Sequence, residues 1–230
     1  MLNTKFLTPL LLTLACGPAG ATTVAVTGSI EPTTCELNMG AGLADAFQYG
    51  DISLSTLSST SRTALAVKTV ALTVNCDGPT RVAIGALDGK SSTNPFSDEG
   101  TTIDMSAAGG PSAGLASDLF GLGKDQGSRI GGYSLSLLPN SMKVDSVDSG
   151  VVSSIDSGTN WVSADHGFIA GATAPGFWSS WAKSGESVPL AGTTFEATLA
   201  IQPWLMSKQY LNLTRELVLN GAATIELHYL

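Results

Sequence analysis

Strict alternation of apolar and polar residues recurs along this chain, and no other feature restricts its fold as tightly. In "KTVALTVNC", Val70, Leu72, Val74 and Cys76 share one face; "DGPT" breaks the run, and Val82, Ile84 and Ala86 resume it. Tyr133, Leu135 and Leu137 form another apolar face, and Phe195, Ala197, Leu199 and Ile201 a further one, with Glu196, Thr198 and Gln202 turned outward. The closing stretch "NGAATIELHYL" sets Ile225, Leu227 and Tyr229 against Thr224, Glu226 and His228. Leu217 and Leu219 alternate on the other side of Asn220-Gly221, a hairpin dipeptide. Successive side chains of a strand point to opposite faces, so a period of two marks a strand with one buried side. No stretch past residue 21 sustains a helical stripe with caps; Ala113–Leu122 is the nearest and is short. Short strands separated by turn signals predict an all-β chain folded as a β-sandwich. Two Gly/Ser/Pro-rich stretches, Asp88–Ser128 and Ser141–Glu186, interrupt the pattern and read as long insertions rather than a second domain.

The opening residues are of another kind. Lys5 is followed by an apolar run from Phe6 to Ala15, then by Gly17-Pro18 and Ala19-Gly20-Ala21. That is the layout of a secretory signal peptide over residues 1–21, cleaved after Ala21. The run is too short for a transmembrane span, which needs about 20 residues, and no later stretch qualifies, so no stable membrane insertion is expected. A second reading of the same residues anchors the chain through lipid at Cys16, because Thr13-Leu14-Ala15-Cys16 loosely resembles a lipoprotein signal. Loss of the signal takes Cys16 with it and leaves Cys35 and Cys76. In an oxidising compartment that pair argues for a disulfide. Two cysteines and two scattered histidines give no metal-ligand cluster, and no cofactor signature is present. Removal of Lys5 also moves the net charge from −8 to −9, which argues against nucleic acid and anionic membranes as partners.

Catalytic patterns are fragmentary. Ser180–Lys183 ("SWAK") fits an S-x-x-K nucleophile, but neither S-D-N nor K-T-G accompanies it. In "IGALDGKSS" the glycines Gly85 and Gly89 stand one residue too close for a phosphate loop. Asp165-His166 would point to opposite faces of a strand. Asp145, Asp148, Gly150 and Asp156 outline a calcium loop with Val147 where a ligand oxygen belongs. No catalytic constellation is expected and the chain reads as a non-enzyme.

The start of the exported chain alternates too: in "TTVAVTGSIEPTTC", Val24, Val26, Gly28 and Ile30 share a face until Pro32 ends the ladder. With "VTGSIEPTTCEL", "FQYGDISLSTL", "KTVALTVNCDGPTRVAI", "LFGLGKDQGSRIGGYSLSL" and "LVLNGAATIELHYL", the chain resembles the chaperone–usher pilins, and among them the fimbrial-like subunits of Gram-negative bacteria. The resemblance implies an immunoglobulin-like sandwich over residues 32–230 that lacks its last strand. It implies a periplasmic chaperone, an outer-membrane usher and neighbouring pilin subunits as partners, and a place in a cell-surface fimbrium supporting adhesion. It casts Val24, Val26, Gly28 and Ile30, within residues 22–31, as a donor strand. Ile225, Leu227, Tyr229 and the terminal Leu230 become the strand beside which a chaperone packs. Many pilins carry a separate donor extension, whereas only 13 residues, 22–34, stand between the cleavage site and Cys35. Residues 22–31 are therefore either a donor or the first strand of their own domain. The alternative function is a monomeric secreted or periplasmic sandwich, or a tip adhesin, binding a glycan or protein through Trp161, Trp178 and Trp181. The competing role for those tryptophans is core filling.

N-terminal sequencing of the protein released from the periplasm should begin at Thr22; a lipid-modified Cys16 at the mature terminus would overturn the cleavage assignment.

Overall fold

The structure, a computed structural model, describes residues 33–40, 46–97, 100–171 and 176–230. The expected signal peptide and the segment 22–31 lie outside the described residues. Among the described residues helix is confined to short turns, and everything else of regular structure is strand. Ten strands carry the architecture: β1 (Cys35–Met39), β2 (Lys68–Thr80), β3 (Val82–Asp88), β4 (Gly131–Leu137), β5 (Gly150–Ser154), β6 (Val162–Ala164), β7 (Gly167–Ile169), β8 (Trp178–Ala182), β9 (Gly192–Leu205) and β10 (Ala223–Tyr229). One sheet runs β1-β2-β9-β4-β7 and the other β6-β5-β8-β3-β10, with antiparallel pairing throughout. The chain is thus an all-β sandwich of the immunoglobulin-like kind.

The alternating faces meet where the period places them. Val70, Leu72 and Val74 of β2, Tyr133, Leu135 and Leu137 of β4, and Phe195, Ala197 and Leu199 of β9 pack against Val82 and Ile84 of β3, Val151 of β5 and Trp181 of β8. Leu72, Val74, Val82, Ile84 and Trp181 are fully buried. β2 does not stop at Asp77. It continues to Thr80, and the chain crosses to the other sheet at the single residue Arg81, whose Nε donates to the Pro189 carbonyl at 2.9 Å. Opposite Asp77–Pro79 the register with β9 shifts between Gly192 and Thr194, and this irregularity accommodates a proline inside a strand.

The stretch Ser141–Glu186, insertion-like in composition, supplies β5, β6, β7 and β8, and so contributes to both sheets. Asp88–Ser128 is an insertion in the architectural sense. Phe96, Ile103, Met105, Ala116 and Leu119 form a second apolar cluster with Phe168 and Trp204 on the outer face of the first sheet. Every residue of β4 is buried as a result, with Ser134 and Ser136 beneath this layer. The Asn94 amide ties the layer together, donating to the carbonyls of Ala116 and Leu119 at 3.0 and 2.9 Å while its Oδ1 accepts from Phe96 N at 2.9 Å. Gly121, paired with Gly132, must be glycine: a Cβ there would stand 2.1 Å from Thr93 Oγ1 and 2.5 Å from the Lys90 carbonyl.

The expected disulfide is present. Cys35 and Cys76 are directly opposed on β1 and β2, Cα atoms 4.0 Å apart, at a pair that exchanges no backbone hydrogen bonds, the closer of the two antiparallel pairings. Closing a loop with sequence separation 41, it stabilises the fold by roughly 3–4 kcal/mol in the chain-entropy account.

Trp181→Ala should lower the unfolding free energy by about 3–5 kcal/mol, read as a shift in urea midpoint. Trp178→Ala, at a half-buried position, should fall well short of that; equal losses would contradict the packing.

A candidate strand-acceptor cleft

Two strands end their sheets on the same side of the sandwich: β1 ends the first, β10 the second. Their backbone bonds fix which residues look outward. Gly89 N donates to the Ala222 carbonyl and Leu230 N to the Arg81 carbonyl, so the even-numbered residues of β10 face β3. In an antiparallel ladder hydrogen-bonded pairs alternate with non-bonded ones. Ala223, Ile225, Leu227 and Tyr229 therefore direct their N–H and C=O groups away from β3, where no strand lies among the described residues. The same logic holds for β1. Asp77 N donates to the Thr34 carbonyl and Gly40 N to that of Ala71, leaving Cys35, Leu37 and Met39 with their polar backbone groups on the free side.

Both free edges border one apolar cleft of about 390 Å³. Met39 of β1 and Ala223 and Ile225 of β10 wall it, and Tyr133, Leu135, Leu199 and Ile201 lie along its floor. Phe47, Tyr49 and Leu219 line it as well and lead into a neighbouring cleft of about 560 Å³ beside Leu211 and Leu217. Ile225 and Leu227 point at the core but are only half-buried, as are Leu37 and Met39 across the gap, whereas Val82 and Ile84 on the adjacent strand are completely covered. Apolar side chains at core positions without full cover form an exposed patch of the kind that marks a binding groove or an aggregation liability.

Beyond the residues that line the cleft, one bond joins the two edges. The Tyr229 hydroxyl accepts a hydrogen bond from Cys35 N at 2.8 Å, joining the last residue of β10 to the first of β1. Tyr229 itself is exposed, so it bridges the edges rather than filling the core as an inward apolar residue would. Since Met39 meets Ala223 and Ile225 at the other end, β1 and β10 run antiparallel across the gap. Leu230, partly exposed, donates its N–H to Arg81 O.

The outer face of β10 is differently made. His228 stacks on Trp178, ring centroids 3.9 Å apart and planes within 14°. Gly85 permits it, because a Cβ there would lie 2.8 Å from His228 Nε2 and 2.9 Å from Trp178 Cδ1. Burial pulls the His228 pKa below 6.5, against the opposing pull of Glu226, whose Oε2 lies 3.5 Å from Nε2. His166 is lowered in the same way, burial outweighing Asp165.

Of the three tryptophans read as a ligand surface, Trp181 belongs to the core: it is fully buried and its Nε1 donates to the Glu196 carbonyl at 2.8 Å. β8 explains the parity, since residues three apart in a strand face opposite sides. Trp178 is held against His228, and Trp161 donates to the Gly158 carbonyl at 3.0 Å; both are half-buried. The hairpin expected at Asn220-Gly221 does not form. Leu217 and Leu219 pair with nothing as strand; they pack on the core and line the clefts, and Asn220 N donates to the Leu122 carbonyl. Ser180 Oγ donates to the Val82 carbonyl at 2.6 Å while Lys183 pairs with Glu186, so the S-x-x-K residues are engaged separately. Asp145 accepts from Thr193 and Thr194, and Asp156 from Ser154 and Asn160, each carboxylate organising its own turn. Asp165 and His166 occupy the turn between β6 and β7 rather than a strand, which brings His166 Nε2 to 3.9 Å from Asp165 Oδ1. Val24, Val26, Gly28 and Ile30 lie outside the described residues.

Sequence reasoning missed the β1 wall and part of the lining. Leu37 and Met39 continue the alternation begun at Cys35, and Phe47 and Tyr49 are spaced two apart, so the signal was there in runs of two or three residues.

Residues 24–134 match a family described as "Protein of unknown function (DUF1120)". The match takes in β1, β2, β3 and the insertion and ends within β4. No curated protein matches the chain in sequence. Among the described residues, no helix is long and apolar enough to cross a membrane.

The chain has two histidines, and both are depressed by burial. Between their lowered values and 6.5 the unfolded chain binds more protons, so stability is full above about pH 6.5 and falls as pH drops through that window. Urea midpoints at pH 7.5 and 5.5 should differ in that direction, and His228→Gln with His166→Gln should flatten the difference; an unchanged slope in the double variant would refute it.

Proposed function

We propose that this chain is a structural subunit of a chaperone–usher fimbrium, completed by a strand from outside its own sandwich and supporting cell adhesion. The observation that carries this reading is the pair of strand edges, β1 and β10, that have no partner strand among the described residues and flank one cleft lined mainly by apolar residues. Such a gap is the recognition mode of strand addition: backbone groups on both edges supply a ladder, and the pockets between supply register. Residues 22–31 have the matching chemistry, with Val24, Val26 and Ile30 on one face and Gly28 at the position where the cleft need hold no side chain. Each branched side chain buried contributes about 1.5–3 kcal/mol before the entropy of ordering the strand is subtracted. With donor and acceptor at different places on one chain, the contact is head-to-tail and propagates as a filament. A periplasmic chaperone covers the cleft before assembly in this reading, and an outer-membrane usher passes the subunit to its neighbour.

Periplasmic co-expression with a pilus chaperone should give a one-to-one complex. Deleting Thr22–Glu31 should leave that complex intact while abolishing the ladder of subunit multimers on gels of unheated samples. Ile225→Glu should instead weaken the chaperone complex itself, by tenfold or more, because it sets a charge on the wall of the cleft. A chain that is stable and monomeric alone, and forms neither complex nor multimers, would sink the proposal.

A further inference from the structure

The chain enters β1 along β2. The Thr34 carbonyl accepts from Asp77 N at 2.9 Å, Thr34 Oγ1 bonds Asp77 Oδ2, and Thr33 lies beside Gly78. Residues 33 and 34 thus extend the strand backwards beside β2 rather than turning toward the cleft. The first N–H that β1 offers on its cleft side, that of Cys35, is occupied by the Tyr229 hydroxyl.

We propose that Tyr229 is a latch that keeps the chain's own N-terminal segment out of its own cleft and so reserves the cleft for a strand from another molecule. The inference rests on the strand-acceptor reading above and deepens it. For residues 22–31 to fill their own cleft, the chain must reverse at Pro32–Thr34 and pair antiparallel with β1. A three-residue turn sets Glu31 opposite Cys35, and its closing hydrogen bond needs the Cys35 N–H. That donor is held by Tyr229, and the reversal would also strip Thr34 from both of its bonds to Asp77. Three hydrogen bonds must therefore break before the first ladder bond forms. A reversal earlier in the segment avoids the breakage but spends Val26, Gly28 and Ile30 in the loop. A strand from a second copy meets none of this at the start, because it can pair with Met39, Leu37 and Ala223–Leu227 before it reaches the latched end. The two routes also differ in polarity. β1 and β10 are antiparallel, so a self-inserted hairpin strand would run parallel to β10, while an external strand is free to run antiparallel to it.

The test uses a fluorescent peptide of sequence Thr22–Glu31, taken up during refolding by the chain beginning at Thr22 or by one lacking residues 22–31. Tyr229→Phe keeps the ring and removes the hydroxyl. In the chain beginning at Thr22 it should cut peptide uptake about fivefold, the equivalent of one hydrogen bond, because the chain's own segment now competes. In the chain lacking residues 22–31 it should not lower uptake, because no segment of the chain is there to compete. Asp77→Ala, which removes the Thr34 side-chain contact, should act in the same direction, and keeps the test open if Tyr229→Phe folds poorly. Equal uptake by wild type and both variants, or equal losses with and without residues 22–31, would overturn the latch. Absence of uptake by every chain, wild type included, would overturn the strand-acceptor reading itself.

Discussion

A β-sandwich is closed at its sides only where the edge strands are covered, and in this chain β1 and β10 end their sheets on the same side with no partner strand on their free edges among the described residues. Much on that side follows from these two edges. Ile225 and Leu227 have their core partners beneath them and, among the described residues, no strand beside them; Leu37 and Met39 are in the same position on the other edge. The two edges do not pair as a ladder, and a side-chain bond, from Cys35 N to the Tyr229 hydroxyl, joins them. Exposed edges with apolar floors are unstable toward association. On the opposite side β6 and β7 are joined by the short turn at Asp165-His166, beside a separate cleft of about 510 Å³ lined by Ile155, Val162, Ala164 and Phe177.

How far the sequence disclosed this depended on whether a strand's large apolar residues alternate with small or polar ones. β2, β9 and β10 keep a wetter side over much of their length, and their alternation marked the inward residues apart from Tyr229; β3 and β4 also alternated, although Val82–Gly85 and all of β4 are buried. β5 and β8 read "GVVSS" and "WSSWA" because both their faces are covered, so period two disappears and serine stands where an apolar residue would have announced a strand. Ser153, Ser154, Ser179 and Ser180 are all buried. Composition therefore marked residues 141–186 as an insertion when they hold four of the ten main strands. The cleft was half legible: the β10 wall came from "TIELHY", but Leu219 joins it from a segment with no strand of its own, and no local pattern encodes that. Tyr229 was read as an apolar inward residue, and its hydroxyl proved to be the part that matters. A phenol serves as core filler or as a polar tip depending on what lies at its end.

Small residues play an unusual part in the layer built by residues 88–128. That layer sits on the outer face of β4, which would ordinarily meet water. Gly121 and Gly132 face each other without side chains, and Ser134 and Ser136 are buried between. The close approach lets Phe96, Leu119 and Trp204 form a second apolar cluster. A stretch rich in glycine and serine is thus the condition for a third layer rather than a sign of its absence.

The position of the disulfide has a mechanical consequence. A pull applied at Thr33 reaches the sandwich through Cys35, the first residue of β1. Without a crosslink, tension there would peel β1 from β2 one hydrogen bond at a time, an easy mode of failure. The Cys35–Cys76 bond sits at the very point where peeling would begin, so force passes covalently into β2, a strand of 13 residues held by neighbours on both sides. The weak unzipping direction becomes shear along the longest pairing in the molecule, between β2 and β9, where many hydrogen bonds must yield together.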